Sequence, residues 1–231
     1  FQSCIFKVFP FMFRILSLIL LAFTLAAYQL DRTNTRATDP VTGKDYNGED
    51  TRAVRAKLAF RPSDDFSATL SLDYTRQDNA LTLGEPTAPL TQTDFLLGTV
   101  VLRPYVPGEY NFETRTSFDP DQGQELTHAG VSLAMNWNLS DTFLFKSITA
   151  YRELETESYI DIDASEFELG DVLVAIDQDQ FSQEFQLQYD NGDDLQAIFG
   201  LYYMDEQVPS HQEAYADDFL YFAGTPISFL R

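Results

Sequence analysis

Residues 60–74, FRPSDDFSATLSLDY, leave a polar turn and then alternate without a slip. Phe66, Ala68, Leu70, Leu72 and Tyr74 fall on one side; Ser67, Thr69, Ser71 and Asp73 fall on the other. Period-two alternation is the mark of a strand with one apolar and one polar face. The same pattern recurs and predicts three antiparallel hairpins, pairing 51–61 with 66–77, 127–138 with 143–154, and 177–189 with 195–205. Inside each pair the connection is short and rich in turn formers: RPSDD, NLSDT and DNGDD. Between pairs the connections are long, 78–126 and 155–176, and a third opens at Glu206. Residues 31–49 are polar and read as a loop. Long connections without structure are uncommon in compact domains and tend to be functional.

The hairpins share a spacing. An aromatic stands just before each turn (Phe60, Trp137, Tyr189), the apolar face resumes six residues later (Phe66, Phe143, Leu195), and a tyrosine follows eight beyond that (Tyr74, Tyr151, Tyr203). Even separations keep all nine on one face of their strands. Eight residues at about 3.3 Å, tilted about 40°, rise roughly 20 Å, close to the apolar band of an outer-membrane barrel. The aromatics then form two rings at the water–lipid boundaries. The expected fold is therefore all-β: an antiparallel transmembrane β-barrel segment, about six long strands as three hairpins. Its polar face, with Arg55, Lys57, Asp73, Asn136, Asn138, Glu184, Gln186 and Gln188, lines the lumen. A soluble antiparallel sandwich also alternates and is the competing fold. Periodicity alone does not fix the phase of 143–154, because Ser147 and Thr149 share the side of Phe143 and Tyr151 while Leu144, Ile148 and Ala150 share the other. Analogy with the other hairpins puts Phe143 and Tyr151 on the apolar side.

Composition narrows the choice. The 231 residues carry 36 acidic and 15 basic side chains, a net charge of -21. Nucleic acid is not an expected partner, since phosphate binding needs clustered Lys and Arg. Aromatics at 14% are too frequent for a disordered acidic chain. A mean hydropathy of -0.21 excludes a bundle of membrane helices but not a barrel, whose strands keep a polar face. The single cysteine, Cys4, allows no internal disulfide. Residues 1–30 differ from the rest: Lys7 and Arg14 precede the apolar run 15–27, ILSLILLAFTLAA, which ends in small residues. The segment reads as a secretory signal with Thr24 and Ala26 at the cleavage site, or as a foreign or misread N-terminus. The expected division is 1–30 as that segment and 31–231 as a partial barrel.

Candidate chemistry is sparse. The sequence has no Gly-rich phosphate loop, no HExxH and no Ser-centred elbow. His128 and His211 lack spaced partners and read as solvated. The sharpest feature is the acidic stretch 155–176, with Glu155, Glu157, Asp161, Asp163, Glu166, Glu168 and Asp171 and no Lys or Arg. DIDASEFE has something of calcium-loop spacing but lacks the central glycine and the length, so a solvated outer loop is expected. No catalytic, cofactor-binding or metal-binding residue is assigned, and no enzyme activity is expected.

The segments RAVRAKLAFRPSDDF, FKSITAYRE, DQFSQEFQLQYD and FGLYYMDEQ resemble barrel segments of TonB-dependent outer-membrane receptors. The resemblance covers about 50–206 and is most specific in SITAYRE and DQFSQE. It implies a 22-stranded barrel filled by an N-terminal plug, in the bacterial outer membrane. It further implies uptake of ferric siderophores, cobalamin or other scarce nutrients, with outer-membrane lipid, the TonB complex and a small ligand such as a metal chelate as partners. The plug and the TonB-contacting box have no counterpart between Leu30 and the first hairpin, and no terminal aromatic-ended strand precedes Arg231. The expectation is an internal piece of a receptor, with no ligand residue transferable by motif. A passive outer-membrane porin and a soluble β-sandwich binding protein are the alternatives.

Overall fold

The computed structural model describes residues 20–32, 37–84, 87–94, 98–103 and 112–218. Among them the regular structure is strand alone: β1 Leu20–Arg32, β2 Ala37–Thr38, β3 Asp45–Tyr46, β4 Glu49–Arg61, β5 Phe66–Asn79, β6 Leu90–Asp94, β7 Gly98–Arg103, β8 Gln124–Asn138, β9 Phe143–Ile160, β10 Asp171–Asp190, β11 Gln196–Gln207 and β12 Ser210–Tyr215. The long strands form one sheet in the order β1-β4-β5-β8-β9-β10-β11, antiparallel throughout, with β12 also on β10. Gln207 faces Asp179 and Ser210 faces Ile176, so β12 continues β11 in unbroken register. Pro209 interrupts this strand because it has no N–H to donate, yet its carbonyl still accepts from the Asp177 amide at 3.0 Å. The short pairs β2–β3 and β6–β7 lie in the connections.

All three expected hairpins are present, and their turns explain themselves. In the third, Asn191 Oδ1 accepts from the Asp193 and Leu195 amides, at 3.0 and 3.1 Å, while Gly192 takes φ +77°. In the second, Ser140 Oγ accepts from the Thr142 and Phe143 amides.

Three expectations need correction. The connection 155–176 is mostly strand, because β9 runs on to Ile160 and β10 begins at Asp171; only 161–170 is loop. Polar side chains hid these extensions, since above the tyrosines both strand faces are wet and alternation fades. The connection 78–126 contains β6 and β7, and 31–49 contains β2 and β3. Separately, β1 runs from Leu20 to Arg32 and pairs with β4. There Leu21, Phe23, Leu25 and Ala27 lie opposite Phe60, Leu58, Ala56 and Val54. A near-continuous apolar run has no phase of its own, and the patterned neighbour β4 sets it. Residues 1–19, with Cys4, Lys7 and Arg14 of the expected export signal, lie outside the described residues.

The sheet is a single layer. Phe23, Phe199 and Leu201 are 63%, 66% and 60% exposed, and no second sheet covers them among the described residues. Buried apolar residues gather instead at the loop end, where Ala37, Tyr46, Leu81, Leu83 and Phe118 form a small core against Tyr159 and Tyr215. A sandwich would bury its strand faces against each other, and the described residues form no such second layer. The apolar face exposes on the order of 1,500 Å² of large side chains, several times the largest patch on an ordinary soluble monomer.

Register also fixes the geometry of the aromatics. Tyr151 lies in register with Leu72, one same-face step below Tyr74, and Tyr203 lies in register with Thr149, one step below Tyr151. At the turn end, Trp137 is in register with Phe66, one step below the Phe60–Ala68 row, and Tyr189 with Phe143, one step below Phe145. Both lines thus drop one step for every two strands crossed. A step is about 6.6 Å along a strand and two strands span about 9.6 Å, which gives a slant of about 35°. That is the tilt of strands in a closed membrane barrel, about 35–45°. The phase of 143–154 is settled by the same pairings: Phe145 faces Trp137 and Tyr151 faces Val131.

Candidate functional site

Two regions hold chemistry. The first is the polar face of the sheet. Asp73 lies over Gly130, where a Cβ would come within 3.0 Å of its Oδ2. Its carboxylate stands 3.3 Å from His128 Nδ1, and Arg152 Nη1 stands 3.5 Å from His128 Nε2. Arg55 is the cross-strand partner of Asp73 and lines the same recess with His128 and Arg152. His128 thus stands between the Asp73 carboxylate and the Arg152 guanidinium. His128 is therefore half-buried and engaged rather than merely solvated. His211 is exposed beside Glu213 at 2.8 Å, as its sequence setting suggested. Lower on this face Gln188 donates to Gln186, which in turn contacts Glu184.

The apolar face carries one polar cluster. Gln183 Oε1 accepts from Thr149 Oγ1 at 2.6 Å, and its Nε2 donates to Ser147 Oγ at 3.1 Å and to the Ile148 carbonyl at 3.1 Å. Ser147 is only 2% exposed, with Phe185 as its cross-strand partner and Phe145 stacked on Phe185 at 6.0 Å between centroids. Such a group survives on an apolar face because its members satisfy one another.

The second region is the loop 161–170. It begins where β9 ends and returns at Asp171, whose side chain is fully buried. Asp171 Oδ1 accepts from the Ile162 amide at 3.0 Å and Oδ2 from Ser117 Oγ at 2.8 Å. Asp161 Oδ1 accepts from the Asp163 and Ala164 amides, at 3.1 and 2.6 Å, and turns the chain through Ala164 at φ +53°. Asp161, Asp163 and Asp171 converge so that one oxygen from each lies within 4.8 Å of the others. Burial pushes Asp161 up to about 6, with the charges of Asp171 and Asp163 adding to it. Burial also raises Asp163, and the nearby Ser165 hydroxyl only softens the effect. Glu166, by contrast, points to Arg115 at 2.5 Å. Asp161, Asp163 and Asp171 were all within the acidic stretch, but Ser117 and the Tyr46–Phe118 core against which the loop packs gave no sequence signal. Tyr46 itself is 1% exposed, donates to the Phe118 carbonyl at 3.0 Å, and is pushed up to about 12 chiefly by burial.

No family model matches the sequence, and no curated protein matches it either. Among solved structures the fold is similar to the ferric yersiniabactin uptake receptor FyuA from Yersinia pestis, with a TM-score of 0.58 at 16% identity over 86% of this chain. The chain spans 28% of that receptor's length. At this identity the likeness establishes the fold: an antiparallel sheet of the kind that forms part of a receptor barrel.

Proposed function

We propose that this chain is part of the barrel wall of a TonB-dependent receptor in the bacterial outer membrane, one that takes up a small ligand such as a metal chelate. The observation that carries the reading is the uncovered apolar face bounded by two aromatic lines, slanted as the strands of a membrane barrel are tilted. Lipid is the medium that such a face requires. In water its apolar area would forgo roughly 40 kcal/mol of burial at about 25 cal/mol per Å². The fold likeness to a ferric chelate uptake receptor supports the same class. The short turns then face the periplasm and the loop end faces outward, which puts the 161–170 loop and the Tyr46–Phe118 core on the ligand side. Energy supplied through TonB, and any particular chelate, belong to this proposal.

The experiment is uptake by cells expressing the protein that carries this chain, offered a panel of radiolabelled ferric chelates and cobalamin, with and without a collapsed inner-membrane proton gradient. Saturable uptake that stops when the gradient is collapsed is the expected result. Uptake that is linear in concentration and indifferent to the gradient would make the protein a passive porin.

A further inference from the structure

We infer that the outward face of β4, β5, β8 and β9 holds one phosphate-bearing lipid at the tyrosine line, its phosphate between Arg52 and Arg76 and an acyl chain in the recess beneath them. The inference rests on reading the apolar face as a wall that meets lipid. The first observation is a gap in the aromatic line. On β8 the residue level with Tyr74 is Ala129, and Glu153 follows it on β9. A short side chain between two long ones opens a trough of about 400 Å³. Val54, Leu72 and Tyr74 wall it on the β4–β5 side, Tyr151 stands on the β9 side, and Val131 lies at its lower end. These walls are apolar, and the size is within the range of about 300–1,000 Å³ in which proteins hold small ligands.

The second observation is independent of the trough. One same-face step beyond Val54 and Tyr74, towards the loop end, Arg52 stands directly opposite Arg76. A like-charged pair in register weakens a sheet unless something of opposite sign lies between its members. Both side chains are open, at 64% and 58% exposed. Asp50 and Asp78 lie one step farther out, on the side away from the trough. Arg52 meets Asp50 at 3.0 Å, but Arg76 reaches Asp78 only at 4.0 Å, beyond hydrogen-bond range. Exposed ion pairs of this kind hold weakly, and each guanidinium has five N–H donors to share. The remaining basic residues of the long sheet, Arg32, Arg55, Lys57, Arg61, Lys146 and Arg152, all lie on the polar phase.

A phosphate fits this arrangement. Arginine grips phosphate oxygens through parallel N–H donors, so one phosphate between two opposed arginines neutralises both. The level fits as well. One step is about 6.6 Å along the strand and about 5 Å along an axis tilted 35° from it. That sets the guanidinium row just beyond the tyrosines, which mark the edge of the hydrocarbon. A headgroup phosphate lies at that level, and the chain it carries descends past Tyr74 into the trough. On the other side of the trough Glu125, Glu153 and Glu155 face outward and repel a phosphate, which confines the headgroup to β4 and β5. A free anion would use the arginines and leave the trough empty; an unphosphorylated lipid would do the reverse.

The test uses the protein that carries this chain, in non-ionic detergent micelles, titrated with phosphatidic acid or with diacylglycerol of the same chains and read by native mass spectrometry. The expected result is one phosphatidic acid retained per protein at concentrations where diacylglycerol is not. R52Q combined with R76Q should weaken retention roughly thirtyfold, each arginine near a headgroup being worth about fivefold. A129W fills the trough and leaves both arginines in place; it should weaken retention at least about tenfold, the equivalent of about two buried methylenes. R61Q, on the polar phase at the turn end, should leave retention unchanged. Heat-modifiable mobility on electrophoresis shows that each variant is folded. Equal retention of the two lipids, native-like binding by the double arginine variant or by A129W, or displacement of the lipid by inorganic phosphate would overturn the site and leave the membrane reading standing. A protein that stays monomeric without detergent and retains neither lipid would overturn the membrane reading, and the site with it.

Discussion

Placing one arginine at three positions along β10 tests the membrane reading at its root. From Ala129, in register with Tyr74, to Trp137 is eight residues along β8; the slant of the upper line removes one, leaving about seven between the aromatic lines. Seven residues are about 23 Å along the strand and about 19 Å along an axis tilted 35° from it. Phe185 falls within about 2 Å of the midpoint on its strand, Phe181 sits at the upper line beside Tyr203 with ring centroids 6.4 Å apart, and Ser182 points to the other face. Arginine at the midplane of a lipid-facing wall costs about 2–4 kcal/mol and near the interface about 0–1. Loss of the Phe145 stacking adds about 0.5–1.5 kcal/mol at Phe185. Phe185→Arg should therefore destabilise by roughly 3–5 kcal/mol. Phe181→Arg should cost about 1–2 kcal/mol, and Ser182→Arg under about 0.5. The assay is denaturant unfolding in lipid vesicles, followed by Trp137 fluorescence; Trp137 is the one tryptophan in the chain. Equal costs at Phe185 and Ser182, or a larger cost at Phe181 than at Phe185, would show that the apolar face does not meet lipid at the depth assigned.

Brominated acyl chains should quench Trp137 strongly and aqueous iodide weakly, because it is 52% exposed on the apolar face about 10 Å from the midplane; the reverse order would place it on the lumen side. Gln183→Leu alone should cost about 1–3 kcal/mol by orphaning Ser147 and Thr149, while the triple change Gln183→Leu, Ser147→Ala, Thr149→Val should recover most of it, as unfolding midpoints would report. Tyr46 has a folded-state pKa of about 12 against 10.0 for a free phenol, so the proton is held more tightly when folded. Its contribution is intact below pH 10.0 and lost as pH rises towards 12; Tyr46→Phe should flatten alkaline unfolding of the loop end over that window, and an unchanged profile would mean the phenol is not buried. Residues 20–218 expressed alone should self-associate, since β1 and β11–β12 leave unpaired edges in the described sheet; a monodisperse monomer on size analysis would contradict that.

The long strands were legible wherever one face is wet and the other is not. All three hairpins were read at their turns to within a residue, because Asn191, Ser140 and their neighbours impose a turn by local bonds that need no tertiary context. Legibility failed for two physical reasons. Above the tyrosines both faces are solvated, so Glu155 and Glu157, and Asp177 and Asp179, obey no apolar alternation even though they are strand residues. In β1 the opposite holds: Leu20–Ala27 is apolar on both faces, a composition shared by an export signal and by a strand whose partner decides its phase. The acidic node was legible only in part. The spacing of Asp161, Asp163 and Asp171 is visible in one loop, but their burial depends on Ser117, Phe118 and Tyr46, which are brought there by β2, β3 and the long connection.

The net charge of -21 describes no actual surface of this molecule, and its partition carries functional content. On the polar face between the aromatic lines stand Arg55, Lys57 and Lys146, with Arg152 at the upper limit, against Asp73 and Glu184 alone. The carboxylates lie beyond the upper line: Glu125 opposite Glu157, Glu155 opposite Asp177, and Glu153 opposite Asp179, cross-strand pairs of like charge that weaken a sheet in water. These pairs share the phase of Trp137, Tyr151 and Phe185. Their acidic charge therefore lies on the outward side of the strand extensions, while the basic charge lies on the polar side between the aromatic lines. Each patch attracts ions of opposite sign on its own face. The sign of the charge at each depth and on each face, rather than its total, is what determines how this wall meets ions.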